Sequence, residues 1–185
     1  MRQLDQEPEM RVARLAGLEK HAIVRRENRF VVTVRRGGTT KRALLRNTGR
    51  LQELLRPGNT ALCRDRSGGR TACEILGILV EGDPAGRAVL IDPYTQARVF
   101  EAAARRKLLP WLDGAWAIQD REVAVGGGSR LDYRITDGKS EGYLELKSAA
   151  FCDGHYAMYP DCPSERGLRH ILALRRNECY DRPVT

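Results

Sequence analysis

The chain lacks any long apolar run. Its longest, Ile75-Leu76-Gly77-Ile78-Leu79-Val80, falls far short of the roughly 20 residues that a membrane-crossing helix needs. The first ten residues, MRQLDQEPEM, are polar, so no secretory signal is expected from them. No CxxC pair occurs among the five cysteines, Cys63, Cys73, Cys152, Cys162 and Cys179. Zinc-ribbon spacing is therefore absent, and free thiols are expected rather than a disulfide framework. Gly126-Gly127-Gly128 fits neither a Walker nor a Rossmann loop and reads as a loop that lets DNA approach closely. No helix-turn-helix pattern is evident, which argues against sequence-specific reading of the major groove. Internal repeats and low-complexity segments are missing as well. These absences leave a soluble, cytoplasmic chain with no membrane partner as the expectation.

Positive charge is abundant. Lysine and arginine total 32 against 24 acidic residues, a formal net charge of +8. Such a balance favours anionic partners, nucleic acid first. Arginine outnumbers lysine, which suits bidentate phosphate contacts; a compositional bias of the genome would give the same excess.

Two domains are expected, over residues 11–84 and 85–185. The first opens as strand, turn, strand from Ala22 to Arg46, with Gly37-Gly38 as a tight hairpin signal. "NTGRLQELLRPG" (Asn47–Gly58) predicts a short helix with Leu51, Leu54 and Leu55 on one face and a Pro57-Gly58 stop. Further strands are expected around Thr60–Cys63 and Ala72–Val80. Closely spaced short strands with one small helix suggest an OB-like barrel, a fold that often holds single-stranded nucleic acid or duplex ends. After a linker at Glu81–Gly86 come a strand, "RAVLID", and a helix, "TQARVFEAAARRKLLPWL", with Val99, Ala102 and Ala103 inward. A last helix is expected from near Ser164 to about Arg176, with Leu168, Ile171 and Leu172 on its apolar face. Alternating strands and helices make the second domain α/β.

The most informative stretch is "SRLDYRITDGKSEGYLELKS", Ser129 to Ser148. Its apolar residues recur with period 2 on either side of a polar turn, Asp137-Gly138-Lys139-Ser140, as in a hairpin with one apolar face. The turn pairs Thr136 with Glu141, Tyr133 with Leu144 and Leu131 with Leu146. Continued, this register sets Asp132 opposite Glu145 and Arg130 opposite Lys147. Opposed like charges destabilise a sheet, so two carboxylates here call for a cation between them, and a divalent metal such as Mg2+ or Mn2+ is the candidate. Such a site suits phosphodiester hydrolysis: the metal polarises the phosphoryl oxygen and acidifies a water, and Lys147 orients that water or steadies the developing charge. A salt-bridged surface hairpin is the alternative.

Those residues also carry a resemblance. "SRLDY" (Ser129–Tyr133), "ELKS" (Glu145–Ser148), "YPDCPSERG" (Tyr159–Gly167) and His170 resemble the sugar fermentation stimulation protein family. "REVAVGGG" (Arg121–Gly128), "AIVRRENRF" (Ala22–Phe30), "NTGRLQELLRPG" and "LIDPYTQARVFEAA" (Leu90–Ala103) extend it over nearly the whole chain. The resemblance implies an OB-like N-terminal barrel followed by a domain shaped like the PD-(D/E)xK nucleases. It also implies DNA binding, with a regulatory role in maltose metabolism among bacterial members, and leaves DNA cleavage open. Carried over, the isolated Asp and the ExK triplet are Asp132, Glu145 and Lys147. Departures are mild at Tyr133, Tyr159 and Ser164, while Leu44 stands where the family often has histidine. Family members continue beyond the position of Thr185, so an incomplete sheet and self-association are expected.

Several residues keep two readings. Glu122 is either a further carboxylate or a solvated strand residue. Asp161 is either a helix cap or part of the site. Arg166, Arg169 and Arg176, together with Arg130, either contact phosphates or form a solvated basic face. His170 lies either near the site or on the helix surface.

Overall fold

Gly37 and Gly38 have φ of 52° and 82°, the double positive-φ turn that matches the twist of a two-residue hairpin. They join β2 (Val31–Arg36) to β3 (Thr39–Leu44), with Arg36 opposite Thr39. The computed structural model describes residues 11–112, 115–125, 129–153, 156–158 and 165–176. In it β1 (Leu18–Arg26) pairs antiparallel with β2 on one side and β4 (Thr60–Asp65) on the other. β5 (Cys73–Leu79) runs antiparallel to β4 and parallel to β3, through Ala43–Cys73 and Leu44–Glu74. That last pairing closes five strands into a barrel. Register shifts at Ile23/Arg25 and Leu62/Cys63 are bulges of the kind that bend strands round such a closure. Ile23, Val32, Val34, Ile75, Ile78 and Ile91 fill the interior, each 2% exposed or less. The two described cysteines with placed side chains, Cys63 and Cys73, are free thiols in this core; Cys152, Cys162 and Cys179 lie outside the described side chains.

The short helix expected within Asn47–Gly58 does not form. Leu51 takes φ 47°, a left-handed conformation that a right-handed helix cannot absorb. A single turn follows, with the Leu54 and Leu55 amides donating to the Leu51 carbonyl at 3.1 and 2.9 Å. Leu51 and Leu55 still plug the barrel, 4% and 5% exposed. The strand expected in "RAVLID", β6 (Ala88–Leu90), pairs with β5 and extends the barrel's sheet.

Helix α1 (Pro93–Arg105) starts on Asp92, whose Oδ2 accepts from the Thr95 amide at 2.9 Å, with Pro93 in its first turn. It stops seven residues earlier than the apolar pattern to Leu112 implies. Lys107 turns left-handed at φ 54°, and the Leu108 and Lys107 amides reach back to Ala103 and Ala104 at 3.0 Å, a Schellman stop. Its deepest residues are Thr95, Glu101 and Ala103, with Val99 and Ala102 half-buried.

The second sheet is β7 (Ala117–Val125), β8 (Ser129–Thr136) and β9 (Glu141–Leu144), antiparallel in that order. A short hairpin, β10 (Phe151–Asp153) and β11 (Tyr156–Met158), and helix α2 (Glu165–Arg176) follow. β8 and β9 pair in the expected register, Tyr133 with Leu144 and Thr136 with Glu141. Asp137 Oδ1 fixes the turn by accepting from the Lys139 and Ser140 amides at 2.8 and 2.6 Å. The architecture is thus an OB barrel followed by an α/β domain.

Helix α2 packs on β8 by a different face from the one expected. Leu168, Ile171 and Leu172 are 58%, 60% and 40% exposed, whereas Gly167, His170 and Ala173 are buried. Spacing of three puts these inward residues in one stripe. Ala173 packs against Leu131 and Val125, and His170 reaches a polar partner.

Barrel and second domain meet through charge. Arg46, two residues after β3, contacts Glu74 of β5 at 2.5 Å and Asp92 at 3.2 Å. Arg64 adds a 2.5 Å contact to Glu74. Burial pushes the Glu74 carboxyl up, but hydrogen bonds from Arg64 and Arg46 outweigh it and hold the group below its ordinary 4.5.

Candidate functional site

β8 alternates Leu131 and Tyr133, 0% and 3% exposed, with Asp132 on the opposite face. The β8–β9 ladder ends at Leu144, short of the predicted Leu131–Leu146, Asp132–Glu145 and Arg130–Lys147 pairs. Asp132 causes the ending: its Oδ2 accepts the Leu146 amide at 2.7 Å, so a side chain takes the hydrogen bond that the ladder would have made. The two carboxylates nonetheless come to one cleft.

Glu145 has a side chain only 5% exposed. Its Oε1 contacts Lys147 Nζ at 2.5 Å and also His170 Nδ1. Lys147 Nζ lies 3.3 Å from the same imidazole nitrogen. Nδ1 can donate to the carboxylate or accept from the ammonium, and the closer carboxylate selects the donor. Glu145 Oε2 is buried with no hydrogen-bond partner among the described residues. Burial raises the Asp132 carboxyl above its ordinary 3.8; the Leu146 amide opposes this, the Glu145 charge adds to it, and Lys147 and His170 lower it.

The cleft encloses about 630 Å3 and draws on a barrel loop, both helices and the second sheet. Asn47 comes from the barrel, Tyr94 and Glu101 from α1, Arg121 from β7, Asp132 from β8 and His170 from α2. Gln96 Nε2 donates to the Leu90 carbonyl and to Ser148 Oγ, both at 2.7 Å, tying the segment after Glu145 to α1.

Of the further residues singled out in the sequence, His170 belongs to the carboxylate cluster. Glu122 sits on the cleft rim with φ 50°, and its carboxylate pairs with Arg130 at 3.2 Å, both well exposed. Arg130 thus serves Glu122 rather than the buried carboxylates. Arg169 is exposed on α2. Asp161 and Gly126–Gly128 lie outside the described residues, as do the side chains of Arg166 and Arg176.

Sequence reasoning missed Glu101. It is 6% exposed, accepts from the Tyr133 hydroxyl at 3.1 Å and pairs with Arg121 at 2.6 Å. The signal was available: Tyr94, Ala97 and Glu101 recur at intervals of three and four, one helical face, and all three line the cleft. A carboxylate in that stripe marks a polar cavity rather than a core.

Among the described residues, no three His, Cys, Asp or Glu side chains are grouped as metal ligands. Two carboxylates, one with a buried orphan oxygen, nevertheless fit an ion such as Mg2+, which takes one or two carboxylates and completes its shell with water and phosphate.

Comparison with known proteins adds an independent line. Residues 24–91 match a family model described as the SfsA N-terminal OB domain, and residues 94–180 one described as the sugar fermentation stimulation protein RE domain. A sugar fermentation stimulation protein homolog of Pyrococcus furiosus is 42% identical over 165 residues, covering 89% of this chain and 69% of its own. A homolog from Archaeoglobus fulgidus is 45% identical over 152 residues, covering 82% and 63%. The chain therefore spans about two thirds of the length of these relatives. A solved structure described as Pyrococcus furiosus SfsA in complex with Ca2+ superposes with a TM-score of 0.82 at 42% identity, covering 90% of this chain and 70% of that one.

Proposed function

The chain belongs to the sugar fermentation stimulation protein family, and from that premise we propose that it binds nucleic acid with little sequence preference and hydrolyses phosphodiester bonds with a divalent metal. The observation that carries this reading is Glu145 Oε2, buried without a partner among the described residues in the cleft that holds Asp132. An unsatisfied buried acceptor costs about 1–3 kcal/mol, and a hard cation would recover it. The relative whose structure is described with Ca2+ supports an oxygen-seeking ion, Mg2+ or Mn2+ in the working protein.

Asp132 and Glu145 would hold the ion. When bound, it polarises a phosphoryl oxygen and lowers the pKa of a water. His170 donates to Glu145 Oε1, which fixes the carboxylate rotamer and leaves Oε2 to the ion. The Leu146 amide holds Asp132 Oδ2 in the same way. Lys147, beside Glu145 Oε1, supplies positive charge where the transition state accumulates negative charge. Glu101 and Tyr133 form the floor of the cleft, and Arg121 neutralises Glu101.

The charge of +8 supports attraction to the phosphate backbone. A regulator of sugar metabolism, maltose included, that keeps this scaffold without cleaving is the competing reading. Supercoiled plasmid with Mg2+ or Mn2+ separates the two. Wild type should nick it, whereas Asp132→Asn and Lys147→Ala should not, and both variants should still bind DNA in Ca2+. Binding by wild type without nicking under any metal would refute the catalytic reading.

A further inference from the structure

Tyr94 is an aromatic ring with no part in the core. It is 69% exposed, yet its position is fixed. Asp92 caps the helix it opens, and Pro93 restricts the backbone before it. The Arg46 guanidinium lies 5.3 Å from the ring centroid. Arg46 is itself locked by Glu74 and Asp92, whose side chains are 5% and 1% exposed. A large apolar surface is thus held rigidly in solvent, with a cation beside it, and nothing in the barrel's packing requires it.

Its location gives it a use. Tyr94 lines the cleft that contains Asp132, Glu145 and Lys147. It also lines a neighbouring depression of about 230 Å3 whose walls include Arg46, Arg64 and Arg98. The ring therefore forms the ridge between an arginine-lined depression and the carboxylate cleft. A nucleic-acid strand crossing it would place a base on the ring, a phosphate toward the arginines and the next phosphate toward the carboxylates.

We propose that Tyr94 is a base-stacking platform that recruits an unpaired nucleic-acid strand to this cleft. The inference rests on the proposed phosphodiester reading of the carboxylates and adds the substrate class. Every base presents a π-face, so stacking of this kind is tolerant of sequence. Within a duplex each base face is covered by its neighbours, so only a single strand, an overhang or a frayed end can supply one. Arg46 adds cation–π character at the same ring.

The test is fluorescence anisotropy in Ca2+ with two probes: a labelled oligothymidine strand, and a duplex closed at each end by a base-free ethylene glycol linker so that no base is free. Tyr94→Ala should weaken binding of the single strand by about fivefold to a hundredfold, the usual loss for one base–aromatic stack. Tyr94→Phe should restore affinity, since the ring and not the hydroxyl is needed. The closed duplex should bind all three proteins alike. Because Tyr94 is exposed, the variants should melt with wild type, which separates loss of contact from loss of fold. An unchanged single-strand affinity in Tyr94→Ala, an equal loss on both probes, or failure of phenylalanine to rescue would overturn the proposal. The metal reading is scored separately by the thermal shift that Mn2+ produces in Tyr94→Ala. A shift that persists while stacking fails sinks this inference alone, and a shift absent from wild type and variant alike sinks the reading beneath it.

Discussion

Arg46→Ala removes the side chain that joins the barrel to the helix lining the cleft. Glu74 and Asp92 would remain, 5% and 1% exposed in their side chains, having lost contacts of 2.5 and 3.2 Å. Breaking a buried ion pair from one side costs about 3–5 kcal/mol. Here Arg64 still reaches Glu74, and Thr95 still donates to Asp92, so roughly 2–4 kcal/mol is expected at pH 7. For a chain of this size each kcal/mol moves the melting temperature by about 2–4 °C, giving a drop of roughly 5–15 °C. The loss should also depend on pH with a definite sign. Glu74 sits below its ordinary 4.5 in the folded state, partly because of Arg46. Its contribution is present above that value and lost as pH falls through the folded one, so wild type and variant should converge in acid. Calorimetry between pH 3 and 7, at about one-unit steps, reads both effects. An unchanged melting temperature, or a gap that widens in acid, would refute the reasoning.

Gly77→Ala would bring a Cβ to 2.9 Å from the Val89 carbonyl oxygen across the β5–β6 pair. That overlap should cost about 1–3 kcal/mol in urea denaturation, and an unmoved midpoint would argue against so close an approach. DNA affinity should fall steeply with salt, with a log–log slope that counts the phosphates neutralised; a flat response, or strong preference for one short sequence, would contradict a backbone-led mode.

Much of this fold was legible because its signals are local. The Asp137-Gly138-Lys139-Ser140 turn and period-2 alternation set the β8–β9 register, and with it the meeting of Asp132 and Glu145. Where that ladder stops was not legible, since a carboxylate competing for the Leu146 amide leaves no trace in hydropathy. The parallel β3–β5 contact joins segments far apart in sequence and has no local signature. Leu51 reads as the start of a helix until its left-handed backbone is seen. In α2 the pattern misled, because hydrophobic periodicity assumes that the apolar face turns inward. Ala173 instead packs against Leu131 of β8, and His170 is buried to meet Glu145. The same assumption hid Glu101. Polar residues in a buried stripe mark where packing yields to chemistry.

The most direct test of the shared-cation claim is the thermal shift with Mn2+, on wild type and Asp132→Asn side by side. At a hundred times the dissociation constant, binding to the folded state alone adds about 2.7 kcal/mol, or roughly 5–11 °C for a chain this long. Asp132→Asn should lose most of that increment. Without metal it should be no less stable than wild type, because burial and the Glu145 charge already hold the Asp132 carboxyl above its ordinary value. Such a raised group costs the metal-free fold stability as pH climbs through its titration. A shift in wild type that largely vanishes in Asp132→Asn is the result the account predicts. An equal shift in both proteins, or none in wild type, would contradict it.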